Sequence, residues 1–325
     1  MKLLFVFASS LIYFSAFSAV PKNFEFKKPV NLKEKVNTEL PDTIKNFKNY
    51  PTINLRDRTS SGVAIDIPIS YNKQVKKWIV FFQTRGKRWF STWLSRSHKY
   101  LPDIQTRLRK ANLPLDLAYI AMIESGFSSR AVSTANAVGP WQFIEPTGKR
   151  FNLQINDWID ERQDFQKSTD AAIKYLSTLY SEFENWYLVA AAYNTGEGRV
   201  RRLIRKYKSK DFWYLSRKKG FVKETRDYIP KWIAATLIAK SPSMYGFEKV
   251  HPQVPSSYEY FFAPGGTDLL KLADHLNITH QAIINLNPAL KQARIPRYIA
   301  GYLIRVPKNS SHYVSNFIDR RVAQN

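Results

Sequence analysis

Apolar and polar positions follow a helical period over much of the chain. Tyr71, Val75, Trp78, Ile79 and Phe82 recur at three- and four-residue intervals, which predicts an amphipathic helix starting near Tyr71. Gly86 interrupts it; Trp89, Phe90, Trp93 and Leu94 then offer a second apolar face, and Ile104 and Leu108 a third. Residues 115–123 are almost wholly apolar, with Asp116 as the only charge, and Pro114 stands where a first helical turn accepts proline. A helix apolar on every side is a buried helix. It ends at Glu124-Ser125-Gly126. After a loop-rich stretch, residues 170–183 regain the period through Ala172, Ile173, Leu176, Leu179, Tyr180 and Phe183. Residues 186–193 form another buried helix, stopped by Asn194-Thr195-Gly196, and residues 232–239 close the helical region.

The pattern then changes. Pro242, Gly246, Pro252 and Pro255 mark a linker. Residues 258–262 and 302–306 read as strands, and 269–275 and 281–286 as short helices between them. This β-α-α-β unit of about fifty residues is near the lower limit for independent folding. Beyond Asn309 the chain is polar and expected to be loose. Before the first helix, Val20 to about Pro68 is polar and proline-punctuated, an extended arm.

Length and composition add partners and compartment. A chain of 325 residues suggests two domains with connecting segments. Aromatics reach 14%, enough both for a core and for a groove that stacks on sugar rings. The net charge of +24 suits three polyanions: nucleic acid, an anionic membrane surface, or a cell-wall polymer bearing peptide carboxylates. Charge does not choose among them. With no cysteine, disulfides, thiolate ligands, a thiol nucleophile and a lipid-anchor cysteine are all excluded. The five histidines show no metal-ligand spacing and no phosphate-cradling glycine motif occurs, so neither metal nor cofactor is expected. Met1-Lys2, an apolar run through Phe17, and small Ala16 and Ser18 before a cleavage point read as a signal peptide over residues 1–18. An uncleaved anchor is the alternative, although the run is short for a membrane span. The expected mature protein is exported, with periplasmic residence the default over secretion or attachment to the envelope.

Glu124 stands out chemically. Burial strips an anion of hydration, and a helix C-terminus adds partial negative charge, so both raise a carboxyl's pKa towards the range of a general acid. The bland alternative is a glutamate paired with one of many arginines, and position alone leaves both open.

Motifs separate the two. Glu124-Ser125-Gly126-Phe127, Gly139-Pro140-Trp141-Gln142, Ala192-Tyr193-Asn194 and Glu224-Thr225-Arg226-Asp227-Tyr228-Ile229-Pro230 stand in the order found in lytic transglycosylases. The stretch from about Tyr71 to about Lys240 resembles that family, glycoside hydrolase family 23, related to goose-type lysozyme. Its spelling is most similar to the membrane-bound lytic transglycosylase D group. The resemblance implies a mainly α, lysozyme-like catalytic domain over 111–240, with a helical extension over 71–110 and an arm over 19–70. It also implies cleavage of the β-1,4 bond between N-acetylmuramic acid and N-acetylglucosamine in peptidoglycan, forming a 1,6-anhydromuramyl end. Glu124 would be the single catalytic carboxylate, with Ser133, Gln142, Tyr193, Asn194 and Tyr228 holding substrate. Two departures are visible: Pro140 replaces the usual leucine, and the lipid-anchor cysteine is missing, which puts stable membrane attachment in doubt.

The C-terminal unit, residues 257–308 after a linker at 241–256, resembles a degenerate LysM module. Leu286-Asn287-Pro288 and Ile304-Arg305-Val306-Pro307 carry the likeness, and its usual turn survives only as Gly266-Thr267-Asp268. A tail over 309–325 completes the division. Asp157, Asp160, Glu161 and Asp164 form an acidic stretch, either solvated or arginine-paired; one of them across a cleft from Glu124 would favour plain hydrolysis. The expected partner is the peptidoglycan strand, met by a monomer, with no nucleic acid. The rival readings are a goose-lysozyme-type hydrolase and a non-catalytic wall-binding protein.

Overall fold

The computed structural model describes residues 65–323, so the signal peptide and most of the expected arm lie outside the described residues. What it contains is mainly α-helix with one two-stranded sheet. The first helix, α1 (Lys73–Gln83), is capped by Asn72, whose Oδ1 accepts from the N–H groups of Gln74 and Val75 at 3.1 Å each. The two apolar faces expected after Gly86 lie on one 24-residue helix, α2 (Lys87–Lys110), which absorbs Pro102 and buries Phe90, Leu94, Ile104 and Leu108.

A 3-10 turn, Leu115–Leu117, leads into α3 (Ala118–Ser125), whose first six residues are all buried. Asp116 is buried in that turn and pairs with Lys240 at 2.5 Å. Gly126 ends α3 at φ +60°, and a Cβ there would stand 2.0 Å from the Trp93 ring, so no other residue fits. There follow α4 (Glu145–Arg150), α5 (Phe165–Phe183), α6 (Trp186–Thr195), α7 (Glu197–Tyr207), α8 (Phe212–Leu215) and α9 (Lys223–Lys240). The last packs against α1, α3 and α6, and it begins well before the segment its apolar run predicts. Lys223, Glu224, Arg226 and Asp227 dilute the helical pattern there and Pro230 interrupts it, but burial of Tyr228 and Ile229 outweighs the local preference.

Further on, β1 (Tyr258–Pro264), α10 (Leu269–His275), α11 (His280–Leu286) and β2 (Gly301–Pro307) form a small unit with its own apolar cluster. The strands pair antiparallel, Tyr258 opposite Pro307 and Pro264 opposite Gly301. The tail expected to be loose contains a helix instead, α12 (Ser311–Ala323). Val314, Phe317 and Ile318 sit at i, i+3 and i+4 and pack into the small unit's cluster, while Glu259 Oε1 accepts from the N–H groups of Ser310 and Ser311 at 2.8 and 2.7 Å. Three apolar residues among polar ones are a weak signal until something covers them.

The acidic stretch joins the two parts. Asp160, Glu161 and Asp164 are buried. Arg162 grips Asp160 through two bonds of 2.9 and 2.7 Å, and Arg305 of β2 grips Asp164 through two of 2.6 and 2.9 Å. Glu161 accepts from the Tyr302 hydroxyl at 2.8 Å and pairs with Lys167. Of the four, only Asp157 is solvated.

Candidate active site

Glu124 sits in the last turn of α3, one residue before its end, with part of its surface open. Its Oε1 accepts a hydrogen bond of 2.5 Å from the Tyr228 hydroxyl on α9, so the partner is a phenol and not a guanidinium. Burial is the largest influence on the carboxyl and, with a push from Glu224, outweighs the downward pull of the Tyr228 bond and the Lys231 charge, leaving it pushed up to about 7. Tyr228 itself is buried, and desolvation together with the neighbouring Glu124 charge holds its phenol well above its ordinary value, so it remains a donor. Tyr193 on α6 is likewise pushed well up, first by burial and then by the Glu124 charge.

Around this pair, α3 and α6 hold one loop between them. Ser125 Oγ donates to the Pro140 carbonyl at 2.8 Å, and the Tyr193 hydroxyl donates to the next carbonyl, Trp141, at 2.7 Å. The unusual Pro140 is therefore accommodated through its carbonyl, the one backbone polar group it keeps. Trp141 is fully buried and donates to Thr169 at 2.9 Å. Gly139 has φ +85° and a Cβ there would lie 1.8 Å from the Arg162 carbonyl oxygen, so the loop needs glycine.

The other expected ligands are placed less directly. Gln142, at φ +50°, gives its amide hydrogens to the carbonyls of Ala131 and Gly139 at 3.2 and 2.9 Å, which leaves the amide oxygen as the group to meet a ligand. Asn194 Oδ1 accepts from Thr225 Oγ1 at 2.8 Å, tying the end of α6 to the first turn of α9. Ser133 Oγ accepts from the Ala137 N–H at 3.0 Å and closes a turn; among the described residues no bond links it to Glu124. The structure thus brings together Glu124, Tyr193 and Tyr228, sets Gln142 and Asn194 on adjoining elements, and leaves Ser133 on a separate turn.

Two further residues belong to the site and were not singled out from sequence. Lys231 donates from Nζ to the Ile123 carbonyl at 2.7 Å, and burial lowers its pKa while Glu124 and Glu224 raise it. Glu224, exposed on the first turn of α9, is the carboxylate whose charge reaches Glu124. The signal was present: positions 224, 228 and 231 lie on one face of a helix.

These contacts set a pH dependence. Tyr228 stabilises the ionised form of Glu124, so Tyr228→Phe raises the carboxyl's pKa and keeps it protonated to higher pH. With Lys231, Glu224 and Tyr193 unchanged around it, the alkaline limb of the rate profile is expected to move upward from near pH 7, with kcat falling about 10- to 100-fold, to be checked by initial rates from pH 5 to 9. A limb that stays in place or moves down contradicts the assignment.

Residues 104–216 match the family described as Transglycosylase SLT domain. Membrane-bound lytic murein transglycosylase D of Escherichia coli (strain K12) is 31% identical over 224 residues, covering 66% of this chain and 49% of that protein. A protein of Alteromonas sp. (strain M-1) named for tributyltin chloride resistance is 43% identical over 122 residues, 37% of this chain and 59% of that one. Among solved structures, the 70 kDa soluble lytic transglycosylase SLT70 of Escherichia coli aligns at a TM-score of 0.38 and 20% identity, over 54% of this chain and 31% of that one. The chain spans about half the length of the transglycosylase D it matches. Glu124, Gln142, Tyr193 and Asn194 all fall within the SLT match, whereas Tyr228 and Lys231 lie beyond its end and reach the site through α9.

Proposed function

We propose that this protein is an exported lytic transglycosylase that cleaves peptidoglycan between N-acetylmuramic acid and N-acetylglucosamine. The observation that carries the reading is Glu124 itself: a carboxyl pushed up to about 7 by burial, held by a buried tyrosine, inside an SLT domain. A group of that acidity can be acid and base in one cycle near neutrality. As acid, Glu124 gives its proton to the glycosidic oxygen, which leaves as the 4-hydroxyl of N-acetylglucosamine. The substrate's own acetamide stabilises the cation left at the anomeric carbon. The Glu124 carboxylate then takes the proton of the muramyl 6-hydroxyl, whose oxygen bonds the anomeric carbon and closes the anhydro ring. No water is consumed. Tyr228 orients the carboxylate, Tyr193 and Asn194 line the acetamide, Gln142 offers its amide oxygen, and Ser133 contacts the substrate from its turn.

The acidic stretch gives no support to a hydrolytic pair, because Asp160, Glu161 and Asp164 are engaged by Arg162, Lys167 and Arg305. Glu224 is the carboxylate that keeps the goose-lysozyme alternative open to test. Mass spectrometry of fragments released from purified peptidoglycan decides: anhydro ends, lighter by one water than reducing ends, are expected, and reducing ends alone would make the enzyme a hydrolase. Release of nothing by wild type would leave a wall-binding protein.

In this reading residues 71–110 brace a catalytic domain at 111–240, and a LysM-like unit at 257–308 meets glycan. The protein works as a monomer on peptidoglycan strands, with no metal, cofactor or nucleic acid, in the periplasm or at the envelope. Among the described residues no helix is long and apolar enough to cross a membrane.

A further inference from the structure

Thr225 is fully buried on the first turn of α9, three residues before Tyr228. A buried hydroxyl has to give its proton to an acceptor, and here the acceptor is the side-chain oxygen of Asn194, at 2.8 Å. Residues three apart share a helix face, so this face of α9 presents two hydroxyls: Tyr228 donates to Glu124 and Thr225 to Asn194. One holds the acid. The other holds a carboxamide at the end of α6, and a carboxamide, unlike a carboxylate, has two different ends.

The Thr225 bond decides which end is spent. With Oδ1 taken by the hydroxyl, Asn194 keeps both Nδ2 hydrogens, and among the described residues these meet no acceptor. Gln142 is the reverse case: its Nε2 hydrogens go to the carbonyls of Ala131 and Gly139, and its Oε1 stays open. Both side chains belong to partly exposed residues. The elements that carry them are joined by the bond from the Tyr193 hydroxyl to the Trp141 carbonyl, at 2.7 Å. Asn194 follows Tyr193 in the chain and Gln142 follows Trp141, so each amide stands next to one end of that bond. The site therefore offers a donor from α6 and an acceptor from the loop.

We propose that Thr225 is a positioning residue of this site: its hydroxyl fixes the Asn194 amide so that Nδ2 faces the substrate as a hydrogen-bond donor. The assignment rests on the proposed cleavage of peptidoglycan. Thr225→Val keeps the shape but removes the hydroxyl proton. It is expected to raise KM on purified peptidoglycan about three- to tenfold. The alkaline limb near pH 7 should not move, because Tyr228 still holds Glu124. Thr225→Ser, which retains the hydroxyl, should recover KM to within about twofold. Asn194→Asp keeps an oxygen for Thr225 but has no N–H, and should raise KM at least as much as Asn194→Ala. An unchanged KM there would mean that the amide faces the other way, which overturns the proposal. In an Asn194→Ala background, Thr225→Val should add no further loss beyond about twofold. Full additivity, or a Thr225→Val loss that appears as a moved limb with a lower kcat, assigns Thr225 to the packing of α9 and overturns the proposal.

A readout without substrate separates this proposal from the activity on which it rests. In isotope-labelled protein studied by NMR, the side-chain amide signal that Asn194→Asp removes belongs to Asn194. That signal is expected to move in Thr225→Val and to return close to its wild-type position in Thr225→Ser. If wild type releases no fragments while the signal behaves in this way, cleavage fails and the hold of Thr225 on Asn194 stands. A signal that Thr225→Val leaves in place overturns the proposal, whether or not the protein cleaves.

Discussion

On the proposed activity, Glu124→Gln is expected to abolish cleavage of peptidoglycan, with a loss of at least about 10²- to 10⁴-fold, while leaving the fold intact and more stable in mild alkali. Glutamine keeps the shape and can still accept from Tyr228, but it has no proton to give to the glycosidic oxygen and no charge with which to take one back. The stability gain follows from the raised carboxyl. Its folded value, about 7, lies above that of an unfolded glutamate, so the folded state binds the proton more tightly. The wild type therefore loses stability as pH rises from about 4.5 through about 7, whereas the neutral amide does not. At pH 8 the variant should be more stable by on the order of 1–3 kcal/mol, and at pH 4 the two should be alike. Urea denaturation at both pH values, beside muropeptide release, checks this. Lost activity with lost stability at pH 8 would point to a structural glutamate instead.

Arg305→Met should produce the largest loss of stability, about 3–5 kcal/mol at pH 7. Arg305 is 8% exposed, grips the buried Asp164 in a two-bond fork, and lies 5.4 Å from the ring centres of both Tyr258 and Tyr260. Methionine fills much of the volume but leaves Asp164 an anion without its counter-charge. The guanidinium is what holds Asp164 below the usual carboxylate range against the effect of burial. A depressed carboxyl contributes stability that is present above its unfolded value, near 4, and is lost as pH falls through the folded one. The deficit of the variant should accordingly be greatest at neutral pH and shrink below pH 4. Guanidinium chloride titrations at pH 7 and pH 3 test the sign; a deficit constant with pH would mean that Arg305 acts through packing alone.

The two experiments probe residues that differ in how visible they are in sequence. Glu124 was legible because its neighbours are legible: a helix buried on all sides must be apolar on all sides, and a carboxylate in such a run is conspicuous. A wholly apolar run likewise marks α6, and an apolar face repeating at the helical period marks most of α5. Weakly patterned elements escaped it. The eleven-residue α7 is mostly charged, with Val200 and Leu203 as its buried residues, and α12 rests on three apolar side chains. The proposed ligands Ser133 and Gln142 are marked by the motif resemblance, but their internal bonds are not, since those depend on how a loop of irregular backbone closes.

What the sequence by itself determined is the run of periodic helices, the β-α-α-β unit and the place of one unusual glutamate. These depend on neighbours a turn or a strand step away, and such spacing is written along the chain. Only the tertiary structure decided that Tyr228, 104 positions from Glu124, supplies its hydrogen bond, that Lys231 caps the carbonyl before it, and that Arg305 and Asp164 meet across 141 positions. Those encounters depend on the angles at which helices and strands pack, and no local period records them. The acidity of Glu124 belongs to both levels. Its apolar helix removes water, which the sequence announces, and the phenol, ammonium and second carboxylate that tune it arrive on a helix folded back from a hundred residues away.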